Sequence, residues 1–213
     1  MARLLNGLMG GISGKIGNME AYVLNGRTYL RAAKKIKNTA PTEKQLAARM
    51  RLNVVNRFIN SMTSYVGVGF ALFARDKTFS ANNAAKSYQL KHAVNGEYPN
   101  FEIAYPNVLL STGSYPMALN PVVSVLDACL QFNWELSPMD SAYTSNGQTM
   151  LLAYCPELQK SHYKIGGASR YSGIDSLSLP DTFKGKRLEC YLSFVADDRK
   201  AISDSSYLGS LQY

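Results

Sequence analysis

The sequence is poor in the residues that carry most chemistry: two histidines, three cysteines and one tryptophan in 213 positions. His92 and His162 stand far apart, and their spacing argues for neither a metal pair nor an acid–base pair. Cys129, Cys155 and Cys190 are odd in number and show no C-x-x-C spacing, so they read as reduced thiols in apolar strands. One disulfide plus a free thiol is the alternative for an exported chain. Long apolar runs are missing too. A membrane span needs about 18 apolar residues in succession, and the stretch from Val66 to Phe73 is short and broken by Gly67 and Gly69. After Arg3, the start MARLLNGLMGGISGK is interrupted by Asn6, Gly7, Gly10 and Gly11, which makes a poor secretory signal. The expected location is the cytoplasm or a particle assembled there. Gly14-Lys15 follows other glycines but not in P-loop spacing, since Met9 and Ile16 stand where that motif needs Gly and Ser or Thr.

What remains is globular in composition, with 46% apolar and 18% charged residues. The net charge of +8 is unevenly placed: residues 1–100 hold 15 bases against four acids, and residues 101–213 hold 8 against 11. Such a split suggests two units with different partners. Complementary potentials steer association, so a basic half can meet the acidic half of another copy.

Along the chain, Ala21–Leu24 and Arg27–Leu30 flank Asn25-Gly26, a strong hairpin-turn signal. The hairpin runs into the basic tract Arg31, Lys34, Lys35 and Lys37. Pro41-Thr42 then opens a helix expected from Glu43 to about Tyr65, with Leu46, Met50, Val54, Phe58 and Met62 recurring on one face. Arg51 falls inside that apolar arc, where it either snorkels, meets a carboxylate or makes a subunit contact. A glycine-broken turn is expected at Val66–Gly69. A second helix is expected over Ala81–Ala93, capped by Ser80 and stopped at Asn95-Gly96. From Asn120 the period becomes two. Strands are expected near Val122–Leu126, Cys129–Glu135, Thr149–Tyr154, His162–Ile165, Ile174–Leu179, Leu188–Val195 and Ser205–Gln212. Seven short strands have the rhythm of an immunoglobulin-like sandwich, with Leu130, Phe132 and Trp134 facing its core and Tyr191 facing away.

Leu130-x-Phe-x-Trp134, Leu177-Ser-Leu-Pro-Asp, Tyr191-Leu-Ser-Phe and Ser203-Asp-Ser resemble a fibronectin type III module over residues 120–213. The whole chain is similar to an uncharacterised bacterial family associated with Bacteroidetes genomes. That likeness is carried by Asn6-Gly7-x-x-Gly10-Gly11-x-Ser13-Gly14-Lys15-x-Gly17-Asn18, Pro41-Thr42-Glu43-Lys44-Gln45-Leu46-Ala47, Tyr98-Pro99-x-Phe101 and Ser203-Asp204-Ser205-x-Tyr207-Leu208-Gly209. It implies no activity or site.

The resulting expectation is an α+β chain of two units: a basic hairpin-and-helix unit over 1–105, a linker over 106–119 and an immunoglobulin-like sandwich over 120–213. No catalytic residue, metal or cofactor is expected, and Asp197-Asp198 reads as a solvated turn. The expected function is self-assembly through the glycine-rich start, with Leu4, Leu5, Leu8, Met9, Gly10, Gly11, Gly14 and Arg51 as contacts. Copies of the chain are the first partner, and another protein or a glycan could meet the sandwich. The alternative is nucleic-acid binding by the basic half, with Arg31, Lys34, Lys35 and Lys37 on phosphates and Tyr22, Tyr29 and Phe58 stacking on bases.

Overall fold

The computed structural model describes residues 3–4, 10–24, 26–33, 40–126, 129–137, 144 and 146–213. The architecture is mixed, mostly β, with several antiparallel sheets and a few helices. The chain divides into two compact units, Met1–Thr42 and Glu43–Tyr213.

The first unit is a four-stranded antiparallel sheet of β1 (Arg3–Leu4), β2 (Ile12–Ile16), β3 (Met19–Leu24) and β4 (Arg27–Ala32), in that order. β3 and β4 stay in register from Met19↔Ala32 to Leu24↔Arg27. The two-residue connection holds Gly26 at φ +74, the left-handed geometry this tight turn requires.

The second unit begins with helices α1 (Glu43–Asn60), α2 (Thr63–Gly69), α3 (Ala71–Ala74) and α4 (Ala81–His92). Ser80 caps α4 as expected, its hydroxyl accepting from the Asn83 amide. A hairpin of β5 (Val94–Glu97) and β6 (Asn100–Ile103) follows, so Asn95-Gly96 lies in a strand and α4 stops at Ala93. The remaining strands are β7 (Leu119–Leu126), β8 (Cys129–Glu135), β9 (Gln148–Cys155), β10 (Lys160–Ser169), β11 (Ile174–Ser178), β12 (Arg187–Val195) and β13 (Ser206–Gln212). They form one sheet of order β10-β9-β12-β13 and another of order β11-β8-β7.

The four-stranded sheet is buried on both faces. Leu151, Ala153, Cys155, Cys190, Leu192 and Phe194 pack toward Leu130, Phe132 and Trp134 of the other sheet. Met150, Leu152, Tyr154, Tyr191 and Val195 point the other way, into Phe58, Ile59, Met62, Tyr65 and Val66 of the helices. The run Met150-Leu-Leu-Ala-Tyr-Cys155 is apolar without alternation, as a strand covered on both sides must be. Trp134 takes its expected core place, its indole NH donating to the Arg170 carbonyl and its ring edge-on to Phe194.

That double burial moves the expected boundary. Residues 106–119 are no linker: Val108, Leu110, Ser111 and Tyr115 are buried. The Leu110 amide donates to Ser205 Oγ, and the Ser111 hydroxyl donates to the Ser203 carbonyl. The Arg170 guanidinium, wholly buried over the Phe194 ring, clips the Pro116 and Met117 carbonyls. The prolines and Thr112-Gly113-Ser114 suggested a hinge, but Val108-Leu-Leu110 supplies the apolar anchor that docks the segment. The units divide at Thr42 instead.

Two smaller expectations also shift. The first helix breaks after Asn60, where the Ser61 and Met62 amides tighten onto the carbonyls of Phe58 and Ile59. Helix then resumes through Gly67 and Gly69, where a turn was expected. Gly69 is needed there because any Cβ would strike the Leu110 carbonyl. Cys155 and Cys190 are core thiols, but Cys129 is only half-buried and faces Ser178. Among the described residues no helix is long and apolar enough to cross a membrane.

Candidate interaction surface

In the first unit, residues paired across strands share a face. One face gathers Ile16, Met19 and Ala32, then Gly14, Ala21 and Leu30, then Val23 and Thr28. Among its described side chains only Ala21 is buried. Ile16 is 45% exposed, Met19 49% and Leu30 59%. A sheet ordinarily buries its apolar face under another layer, and here that face is open. Gly11 lies against Val23 and Thr28, where a Cβ would come within 2.7 and 2.9 Å of their side chains. Close backbone approach at the glycines, expected toward a neighbour, is thus used at Gly11 within the chain. Gly14 sits at φ +122 and Gly10 is half-buried. Leu4 is described only in its backbone, paired with Ile12. Leu5, Leu8 and Met9 lie outside the described residues.

The opposite face is polar and aromatic. Arg31 donates through Nε and Nη2 to Glu20 Oε2 at 2.9 and 2.7 Å and lies over the Tyr22 ring. Tyr22 stacks on Tyr29, with centroids 5.6 Å apart. The proposed phosphate contact Arg31 is therefore engaged by a carboxylate, and the two tyrosines meet each other. Phe58, the third expected stacking residue, is buried in the helical core and is withdrawn from that role. Lys34, Lys35 and Lys37 lie outside the described residues. Arg51 donates to the Leu90 carbonyl in the last turn of α4 at 2.6 Å, where a cation suits the helix dipole.

Among the described residues of the second unit, two buried carboxylates in the β layers gather charged and polar partners. Asp175 accepts from Lys164, Thr149 and the amides of Ala168 and Ser176. Burial pushes its carboxyl up, but those bonds outweigh burial and hold it below the usual carboxylate range. Glu189, fully buried, accepts the Tyr207 hydroxyl at 2.6 Å and pairs with Arg187 at 2.8 Å. Burial pushes the Cys190 thiol up to about 12, so it is protonated and unreactive near neutral pH. Burial likewise raises the phenol of Tyr154 to about 12. His92 stands against Tyr88 on α4 and His162 against Phe183, in separate neighbourhoods. Asp198 caps its own turn by accepting the Lys200 amide. Among the described residues no three His, Cys, Asp or Glu gather to hold a metal.

No motif in the sequence marks Ile16, Met19, Val23 and Leu30 as a set. A register signal is present, because the turn at Asn25-Gly26 fixes the register that puts Leu30 opposite Ala21. No curated protein and no solved structure matches the chain. A family model described as a family of unknown function, DUF6266, matches residues 11–209, and the chain belongs to that family.

Proposed function

We propose that the chain is a non-enzymatic structural protein that self-assembles through its N-terminal sheet and carries an immunoglobulin-like sandwich of the fibronectin type III kind. The observation that carries the reading is the open apolar face of Ile16, Met19, Val23 and Leu30, on a sheet in which Ala21 alone is buried among the described side chains. A unit of about 40 residues rarely stands on its own core without a disulfide, metal or partner, and a second copy supplies the missing layer. The sandwich reading is supported by seven antiparallel strands divided three and four between two sheets, packed around Trp134. The charge split adds a salt-sensitive component to assembly.

Molar mass by light scattering, at low and high salt, tests the reading. The full chain is expected to exceed 23.5 kDa in both, and Met19→Asp with Leu30→Asp is expected to leave a folded monomer. A monomer at high concentration in low salt overturns self-assembly. Salt-dependent binding of single- or double-stranded DNA by that monomer would instead favour the nucleic-acid reading.

A further inference from the structure

A groove runs beside α4 in the second unit, enclosing about 650 Å³, a volume typical of small-molecule sites. Phe70, Phe73 and Phe79 form one wall, and α4 presents Ala84, Ser87 and Tyr88 to the other. Small side chains at 84 and 87, one turn apart, leave the space between helix and aromatic wall open. Phe73 and Phe79 lie 6.2 Å apart, both exposed, and an exposed phenylalanine pair is unusual unless something covers it.

The charge at the groove has one sign. Among the described residues, Lys91 and His92 line it and no carboxylate does. Lys77 places its ammonium 3.5 Å from the Phe73 centroid and 5.4 Å from that of Phe79. A cation held by ring faces alone keeps its attraction for an anion. The leucine-rich start of a second copy is a poor occupant, because it would bring Arg3 to a cationic rim.

We propose that this groove binds a small amphiphilic anion, with a flat or alkyl apolar body against Phe73 and Phe79 and a carboxylate or sulfonate at Lys91. The site is independent of the sheet proposed for assembly.

Calorimetry on the full chain tests it with three probes of one shape: naphthalene-2-carboxylate, naphthalene-2-methanol and naphthalene-2-methylammonium. The carboxylate is expected to bind about tenfold tighter than the alcohol, as charge-assisted contacts exceed neutral ones, and the ammonium weakest. Ser87→Trp fills the groove from an exposed helix position and is expected to abolish binding with an unchanged circular dichroism spectrum. Lys91→Glu is expected to remove the preference for the carboxylate. No heat with naphthalene-2-carboxylate at millimolar concentration overturns the proposal, as does equal binding of all three probes. Undiminished binding by a folded Ser87→Trp variant also overturns it, since the probe would then sit elsewhere.

Discussion

Two antiparallel sheets of this chain, each four strands wide, have opposite fates. The β10-β9-β12-β13 sheet is covered twice, by α1, α2 and α4 on one face and by β7, β8 and β11 on the other. Among its described side chains, the sheet of β1, β2, β3 and β4 buries one alanine. Their sequences announce the difference. Met150–Cys155 and Leu188–Val195 are nearly unbroken apolar runs, whereas Met19–Leu24 and Arg27–Ala32 mix apolar, aromatic and charged residues. A sheet that makes its own core needs no partner. A sheet that cannot is stable only with one, or as a marginal hairpin.

The sharpest way to break the comparison is one charge placed in each sheet. Leu152→Asp buries a carboxylate between β9 and the helices, and is expected to cost more than about 4 kcal/mol and to unfold the second unit. Leu30→Asp sits on the open face, so it is expected to act on assembly and to shift the urea stability of the second unit by less than about 0.5 kcal/mol. Equal losses in the two variants would mean that the open face is covered within the monomer.

Trp134→Ala comes next in size. Truncating a buried aromatic costs about 3–5 kcal/mol. Here the Phe194 ring loses its edge-on contact and the Arg170 carbonyl loses the indole NH. Denaturant unfolding of the variant measures the cost. A red-shifted, solvent-like tryptophan emission from the native protein would contradict the burial on which the estimate rests.

Most of the strands were legible because turn residues bracket them, as Asn146-Gly147 and Lys184-Gly185 do. Cys129–Glu135 has its expected bounds, whereas β7 begins at Leu119 rather than Val122 and β10 runs over Lys160–Ser169 rather than His162–Ile165. The third layer was not legible. Outward-facing Tyr191, Tyr154 and Met150 have the alternation of an exposed face only if Leu192, Ala153 and Leu151 are taken alone as the core. Reading both sets together gives a doubly covered strand. The segment 106–119 reads as a linker for the same reason, because it crosses from the helices to the sheet layers with bonds to both. At the candidate surface the hairpin register was readable, but Arg31 could be seen as paired only once Glu20 stood opposite it. Nothing in the spacing of Phe73, Phe79, Ser87 and Lys91 marks the groove, since it is made by the bend between α3 and α4.

Asp175→Asn tests electrostatics in the covered sheets, with an expected loss of about 1–3 kcal/mol at pH 7. The folded carboxyl is held below its usual value, so its contribution is present above the unfolded pKa of about 3.9 and is lost as pH falls through the folded value. The parent is therefore expected to lose stability below about pH 4 more steeply than the variant. Parallel pH profiles would show that Lys164 and Thr149 contribute nothing net.

The smallest expected effect decides whether the helical layer is integral to the sheets it covers. The Tyr65 hydroxyl donates to the Met150 carbonyl at 3.1 Å and shares a 2.9 Å bond with Ser193 Oγ, joining α2 to β9 and β12. Burial pushes this phenol up, against a smaller lowering by Ser193, so it stays neutral and acts as a donor. Tyr65→Phe keeps the ring against Tyr163 and removes the bridge, at about 1 kcal/mol for one buried hydrogen bond. Ser193→Ala leaves the Tyr65 hydroxyl its carbonyl partner and is expected to cost less. Because the two changes share one bond, the double variant is expected to lose less than the sum of the singles. If the helices are one cooperative body with the sheets, all three variants lower a single unfolding midpoint, seen alike by circular dichroism and by Trp134 fluorescence. A helical signal that melts earlier than the Trp134 signal would mean that the outer layer is a separable cover.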